Sequence, residues 1–245
     1  MSQALRMWIE IVFDVSYLVV VWGFVIAMWQ RRASVQPQAR SVARLFMWAF
    51  VLLALGDTGH VGFRVWAYAR GGLDTQVALW GASFRLIGLG SLATAVTVTV
   101  FYMLALLIWQ KRFDKPLGWF GLLLLAAGVV RLAVMAFPQN HWANGVAPTS
   151  WSLGRNALLI LQGLGVAGLI LHDALAAQDR TFQWVGYMIL VSYAFYIPVI
   201  LFARQVPVLG MLMMPKTVAY VVIAWLGFAN LFSLQWSESK PIRAS

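Results

Sequence analysis

Nine ionisable side chains interrupt the long apolar segments of this chain, and they are the residues best able to do chemistry. Carboxylates, an imidazole and basic groups can transfer protons, bind an anion or stabilise a developing negative charge. A charge at membrane depth costs a few kcal/mol or more unless it pairs or faces water, so such residues indicate a functional site by default. The nine are Glu10, Asp14, Asp57, His60, Arg64, Arg85, Arg131, Arg155 and Lys216.

The composition around these residues is that of a membrane protein. The chain has 245 residues, of which 62% are hydrophobic and 11% charged, and its mean hydropathy is +0.78. Soluble domains are about half apolar and about a quarter charged. We therefore expect one integral membrane domain over residues 1–245. The net charge of +10 does not indicate a nucleic-acid partner, because most basic residues flank the apolar segments.

The apolar segments are typical of membrane-spanning helices, since each has roughly the 20 residues that a helix needs to cross a bilayer core. Turn-forming residues separate them, for example Gly71-Gly72 and Lys115-Pro116. The absence of cysteine excludes disulfides and thiolate metal ligands. The sequence predicts an all-α bundle of seven transmembrane helices over residues 8–29, 44–67, 84–109, 117–137, 152–172, 182–203 and 210–234.

Basic residues predict the orientation of this bundle, because cytoplasmic loops carry an excess of Lys and Arg. One side of the bundle has only three basic residues, Arg6, Arg70 and Arg204, and the other side has many more. We therefore expect the N-terminus outside a plasma (inner) membrane and the C-terminus in the cytoplasm. The basic residues assigned to the cytoplasmic side are Arg31, Arg32, Arg40, Arg44, Lys111, Arg112, Lys115, Arg180, Lys240 and Arg243.

Helical spacing places the ionisable residues together in the outer half of the membrane. Asp57, His60 and Arg64 are three and four residues apart and share one face of the second helix. Lys216 and Tyr220 share a face of the seventh helix in the same way. The inner half contains long stretches without charge. This asymmetry favours a pocket open to the outside over a continuous ion path.

Basic residues outnumber acidic ones in this predicted pocket, even if Asp57 pairs with Lys216 or Arg131. Spare cations in a low-dielectric pocket favour an anion such as a carboxylate, a phosphate or a lipid headgroup. Arg131 and Lys216 would hold the anion, while Asp57 and His60 would tune protonation. The predicted ligand-binding residues are Asp14, Asp57, His60, Arg64, Arg85, Arg131, Arg155, Tyr193, Tyr196, Lys216 and Tyr220.

A binding pocket of this kind predicts a receptor, a sensor or a carrier component. Its partners would be membrane lipids, the small anionic ligand or lipid, and a cytoplasmic or membrane protein that provides the output. A competing hypothesis is an intramembrane enzyme that acts on a lipid or isoprenoid phosphate, with Asp57 and His60 as acid and base groups. No metal is expected, because His60 is the only histidine deep within a predicted span.

Two structural interpretations stand beside these hypotheses. Glu10, Arg64, Arg85 and Arg155 lie within about two turns of a predicted helix boundary, where long side chains can extend to the membrane surface. The deeper charged residues could instead form ion pairs that hold helices together.

Part of the chain resembles the microbial rhodopsins, which have the same predicted topology and a retinal-binding lysine in the seventh helix. Lys216 is the only lysine within a predicted span, Arg85 stands near the start of the third helix, and an aromatic segment ends at Pro198. The chain departs from that family because no acidic residue follows Arg85 in the third helix. The resemblance implies retinal on Lys216 as a further hypothesis, with Asp14 or Asp57 as a non-standard counterion.

Overall fold

The structure, a computed structural model, describes residues 3–79, 82–145 and 147–232 and consists mainly of seven long helices. Each of them is long and apolar enough to cross a membrane, so the chain has the character of a multi-pass membrane protein. All seven predicted helices are found, most with ends shifted by a few residues. The helices are α1 (Gln3–Arg31), α2 (Arg40–Ala69), α3 (Leu86–Phe113), α4 (Gly118–Met135), α5 (Thr149–Ala176), α6 (Arg180–Phe202) and α7 (Met213–Leu231).

Local sequence explains several of these helix ends. Helix α3 ends before Asp114, whose φ of 50° lies in the left-handed region that ends many helices. Helix α5 begins directly after Pro148. Proline has no backbone N–H to donate to a preceding turn and disfavours the helical conformation in the residue before it, so the helix does not continue further toward the N-terminus. Helix α6 begins after Asp179, whose carboxylate accepts a 3.2 Å hydrogen bond from the backbone N–H of Phe182.

A β-hairpin between α2 and α3 differs from the sequence prediction. Its strands are β1 (Gln76–Leu79) and β2 (Ala82–Arg85), which pair antiparallel with Gln76 opposite Arg85. The sequence analysis placed Arg85 inside the third helix, which is wrong because that helix begins at Leu86. The apolar character of residues 77–84 is compatible with a short strand as well as with a helix, so hydropathy alone could not separate them.

The seven helices pack against one another in chain order, and α7 closes the bundle by contacting α1. One end of the bundle, here called the cavity end, contains the first turns of α1, α3, α5 and α7 and the last turns of the other helices. Through the middle of the bundle, the interior is filled mainly by apolar side chains. Phe50 and Phe101 meet edge to face with ring centroids 5.6 Å apart, and both are nearly inaccessible to solvent.

Two close contacts between neighbouring helices explain why glycine occurs inside the bundle. A Cβ on Gly90 of α3 would lie 2.9 Å from the Cα of His60 on α2. A Cβ on Gly163 of α5 would overlap the ring of Tyr193 on α6. These glycines therefore act as the close-packing points that small residues provide between helices in membrane proteins.

The outer surface of the bundle is strongly apolar, as lipid contact would require. The Trp119 side chain is 78% exposed and Val19 is 67% exposed. Large apolar side chains are exposed on every long helix, which is rare on the surface of a soluble monomer unless the surface binds something.

Buried carboxylates connect α3 to α5 and α6 at the opposite end. The Trp109 indole donates a 2.8 Å hydrogen bond to Asp173. The Arg112 guanidinium lies 2.7 Å from Asp179, the residue that caps α6. This polar layer holds the opposite end together and is separate from the cavity.

Candidate functional site

A cavity of about 440 Å³ occupies the cavity end of the bundle and receives side chains from all seven helices. Because alternate helices run in opposite directions, residues that are far apart in sequence reach the same depth. Nine of the eleven predicted ligand-binding residues line this cavity. They are Asp14, Asp57, His60, Arg64, Arg131, Arg155, Tyr196, Lys216 and Tyr220.

Acidic residues form the wall contributed by α1 and α2. The Tyr17 hydroxyl donates a 2.7 Å hydrogen bond to Oδ2 of Asp57. Glu10 forms an ion pair with Arg64 at 2.9 Å. Asp14 also lines the cavity, and none of the residues that the structure describes forms a hydrogen bond or an ion pair with its carboxylate. We call Asp14 and Asp57 the acidic wall.

Arg131 is the most deeply buried basic residue of the site, with 2% of the residue exposed. Its Nε donates to the carbonyl of Arg155 at 2.9 Å, and its Nη1 donates to the carbonyl of Ala95 at 2.7 Å and to the Thr99 hydroxyl. Within the described ranges no carboxylate pairs with it, and its Nη2 makes no hydrogen bond. Neutral oxygens of α3 and α5 therefore hold the guanidinium in place without neutralising its charge.

Lys216 lies at the start of α7 and points its ammonium over an aromatic ring. The Nζ atom is 4.5 Å from the centroid of the Tyr196 ring and 5.8 Å from that of Tyr220. The described residues provide no hydrogen-bond acceptor or ion-pair partner for this ammonium. The predicted ion pairs of Asp57 with Lys216 or Arg131 are accordingly not formed there, because Asp57 bonds to Tyr17 and Arg131 reaches carbonyls of α3 and α5.

Arg155 completes the basic side of the cavity and is held by the segment between α4 and α5. Its Nη1 donates to Oδ1 of Asn140 at 3.1 Å, and its guanidinium carbon lies 4.2 Å from the centroid of the Trp142 ring. Both partners are neutral, so the charge of Arg155 is also retained. We call Arg131, Arg155 and Lys216 the basic wall.

His60 and the hydroxyl residues of α3 line the cavity between these two walls. The Thr94 hydroxyl donates to the carbonyl of Gly56 at 3.1 Å and so links α3 to α2. The Ser91 hydroxyl donates to the carbonyl of Ile87 in its own helix at 2.8 Å. His60 contributes an imidazole to this region, a side chain whose two ring nitrogens can donate or accept a hydrogen bond.

Two predicted site residues lie outside the cavity. Arg85 forms an ion pair at 3.0 Å with Asp74, whose side chain is 90% exposed. Tyr193 is buried below the cavity and donates a 2.9 Å hydrogen bond to the carbonyl of Leu159. Without Arg85, the cavity has four basic residues and three acidic ones. The excess of positive charge is therefore smaller than the sequence analysis predicted. The basic residues are Arg64, Arg131, Arg155 and Lys216, and the acidic ones are Glu10, Asp14 and Asp57.

The structure adds cavity residues that the sequence analysis did not single out. Trp142 comes from the loop between α4 and α5, and three methionines come from the segment around the start of α7. A Trp in a loop and methionines in an apolar segment carry no sequence signal for a site, because both are common in protein interiors. They give the polar cavity one flexible apolar side, formed by Met211, Met213 and Met214.

The floor of the cavity is closed toward the opposite end. Tyr220 lines the cavity, and its hydroxyl lies 2.7 Å from that of Tyr102, which is fully buried. Below Tyr102 the described interior is apolar, with side chains such as Phe101 and Ile223. The site therefore has the form of a cup.

The cup presents charged groups of both signs to a ligand, and Asp57 and His60 are of the side-chain types that act as general acids or bases. Within residues 3–79, 82–145 and 147–232 no three His, Asp or Glu side chains come together as metal ligands would. Comparison of the chain with protein-family models, with curated proteins and with solved structures gives no significant match.

Proposed function

We propose that this protein is a multi-pass protein of a plasma-type inner membrane that binds a small anion or an anionic lipid headgroup in a cup open to the outside. It would act as a receptor, a sensor or a carrier component. The observation that carries this proposal is that Arg131 and Lys216 lack acidic partners within the described part of the chain. Both line the cavity, and no carboxylate of the described residues forms an ion pair with either.

Physical chemistry supports an anionic ligand for such a site. A buried charge without a partner is costly, and an anion placed beside it recovers part of that cost through charge-assisted hydrogen bonds. Nη2 of Arg131 and the ammonium of Lys216 both have donors that the described residues leave unused. A phosphate or carboxylate oxygen could accept from both.

The distribution of charge supports an outward-facing cup. Basic residues such as Arg31, Arg112 and Arg180 lie at the end of the bundle opposite the cavity. The excess of Lys and Arg favours the cytoplasm for that end, so the cavity end would face outside. The closed floor favours binding, or a carrier that changes conformation, over an open pore.

Native mass spectrometry of gently solubilised protein tests this proposal. We expect a co-purifying or added ligand with a phosphate or carboxylate group, lost in Lys216→Met and retained in Arg85→Gln. Arg85 is a suitable control because it lies at the same end of the bundle but outside the cavity. Equal retention in both variants would contradict the proposal. A covalent retinal adduct that disappears in Lys216→Met would instead establish a Schiff base on that lysine.

An intramembrane enzyme acting on a lipid or isoprenoid phosphate is the second candidate, and one observation favours it. Asp57 and His60 line the same cavity as the basic wall, so a proton donor or acceptor stands beside the proposed anion site. Asp57→Asn separates the two candidates. An enzyme that uses Asp57 keeps its substrate bound and loses turnover, whereas substrate that is still converted by Asp57→Asn would exclude that mechanism.

A further inference from the structure

The two walls of the cavity carry charged groups of opposite sign. Asp14 and Asp57 form the acidic wall, and Arg131, Arg155 and Lys216 form the basic wall. Among the described residues no ion pair joins one wall to the other. The ion pair of Glu10 with Arg64, which also lines the cavity, involves none of these five residues.

The contacts of each wall keep it from collapsing onto the other. Asp57 is held on the α1 side by the hydroxyl of Tyr17. Arg131 is held on the opposite side by the carbonyls of Ala95 and Arg155. Among the described residues, these contacts leave the two walls without an ion pair between them in a cavity of about 440 Å³.

A ligand with only negative charge would fit this arrangement poorly. It would satisfy the basic wall but would leave the two carboxylates of the acidic wall facing a third negative group. Like charges at short range in a site of low dielectric disfavour binding. A ligand that also carries a positive group removes this repulsion and adds an attraction at Asp14.

We infer that the ligand is a zwitterion, with a phosphate or carboxylate against Arg131 and Lys216 and an ammonium group against Asp14 and Asp57. This inference rests on the proposed anion-binding function and specifies its ligand class. The same chemistry occurs in a free aminoalkyl phosphate and in the headgroup of an aminophospholipid.

Calorimetric titration of the full-length protein with three matched probes tests the inference. The probes are phosphoethanolamine, inorganic phosphate and ethanolamine. We expect phosphoethanolamine to bind about tenfold more tightly than inorganic phosphate, because it gains an ion pair in a partly desolvated site. Ethanolamine alone should bind more weakly than either.

Two variants connect this preference to the acidic wall. Asp14→Asn should remove most of the preference for phosphoethanolamine while inorganic phosphate binds at least as well as before. Arg85→Gln, whose side chain lies outside the cavity, should leave the preference unchanged. Retention of the full preference in Asp14→Asn would contradict the assigned ammonium site.

The outcomes separate the inference from the function on which it rests. Inorganic phosphate that binds as tightly as phosphoethanolamine overturns the zwitterion and leaves anion binding standing. Absence of binding by both phosphates, or tightest binding by ethanolamine, overturns both.

The source of the zwitterion is decided by native mass spectrometry from nanodiscs that contain phosphatidylethanolamine and phosphatidylglycerol in equal amounts. Selective retention of phosphatidylethanolamine identifies a lipid headgroup. Binding of free phosphoethanolamine without lipid retention identifies a soluble ligand.

Discussion

The hydroxyl of Tyr17 on α1 donates a 2.7 Å hydrogen bond to Oδ2 of Asp57 on α2, across 40 positions of sequence. This contact occupies one oxygen of the carboxylate and ties it to α1. It also attaches α1, which otherwise presents many apolar side chains to its surroundings, to the body of the bundle. The geometry of the acidic wall therefore depends on a phenol that carries no charge.

Tyr17→Phe should destabilise the protein by about 1–2 kcal/mol, because a buried acceptor loses its donor while the aromatic ring is retained. The measurement is the thermal unfolding midpoint in detergent. Tyr187→Phe is the matched control, since Tyr187 is 41% exposed and its contact with the ring of Trp184 survives in Phe. Equal shifts in the two variants would show that the Asp57 contact contributes nothing.

Arg131→Gln should be among the most damaging substitutions in the chain, with a loss of about 3 kcal/mol or more. The variant removes the guanidinium hydrogen bonds to the carbonyl oxygens of Ala95 and Arg155 and to the Thr99 hydroxyl, and a hydrogen bond made by a charged group contributes about 1.5–3 kcal/mol. Arg85→Gln, which breaks an ion pair with the 90% exposed Asp74, should cost less than about 1 kcal/mol. The two variants are compared by their thermal unfolding midpoints and by the yield of monodisperse protein.

Gly90→Ala should loosen the contact between α2 and α3 and change the cavity beside His60. The new Cβ would lie 2.9 Å from the Cα of His60, so the backbones must separate, at a cost of about 1–3 kcal/mol. Gly168→Ala is the control, because a Cβ on Gly168 in α5 meets no atom within 4 Å and should be neutral or stabilising. A Gly90→Ala protein as stable as the control would show that the helices adjust without cost.

Asp179 combines two roles at the opposite end, and two substitutions separate them. Asp179→Asn keeps a side-chain oxygen that can cap α6 but loses the ion pair with Arg112. Asp179→Ala loses both, so it should be less stable than Asp179→Asn by about 1 kcal/mol, the usual worth of a helix cap. Thermal unfolding of the two variants gives this difference directly. Identical midpoints would assign the whole effect to the ion pair.

The proposed orientation can be measured with single cysteines, since the chain has none of its own. Asp74→Cys lies by the hairpin at the cavity end, and Lys111→Cys lies at the exposed end of α3 on the other side. In intact cells a membrane-impermeant maleimide should label Asp74→Cys and should reach Lys111→Cys only after permeabilisation. The reverse pattern would place the cavity in the cytoplasm.

Residue composition along the chain was enough to predict the number of helices and the end of the bundle at which the ionisable residues lie. Hydropathy and length are local properties, and alternation of direction follows once the apolar segments are counted. Positions as distant as Asp14 and Lys216 could therefore be assigned to one depth before any contact was known. The short strand before Leu86 was not predicted. The hydropathy of so short a segment does not distinguish a strand from the first turn of a helix.

The contacts between side chains, in contrast, depend on how the helices pack. The rotation of each helix about its axis depends on packing between helices, and the partners of a charge depend on that rotation. Charge alone predicted an ion pair between Asp57 and Lys216. In the structure, Asp57 accepts a hydrogen bond from Tyr17, and the Lys216 ammonium lies over the ring of Tyr196. Arg131 donates to backbone carbonyls. Every residue has such a carbonyl, so no pattern of residue types could identify the partners of Arg131. The depth of a residue in the membrane follows from the composition of its own segment. The contacts of its side chain depend on residues far away in the sequence, because they form only when the helices pack.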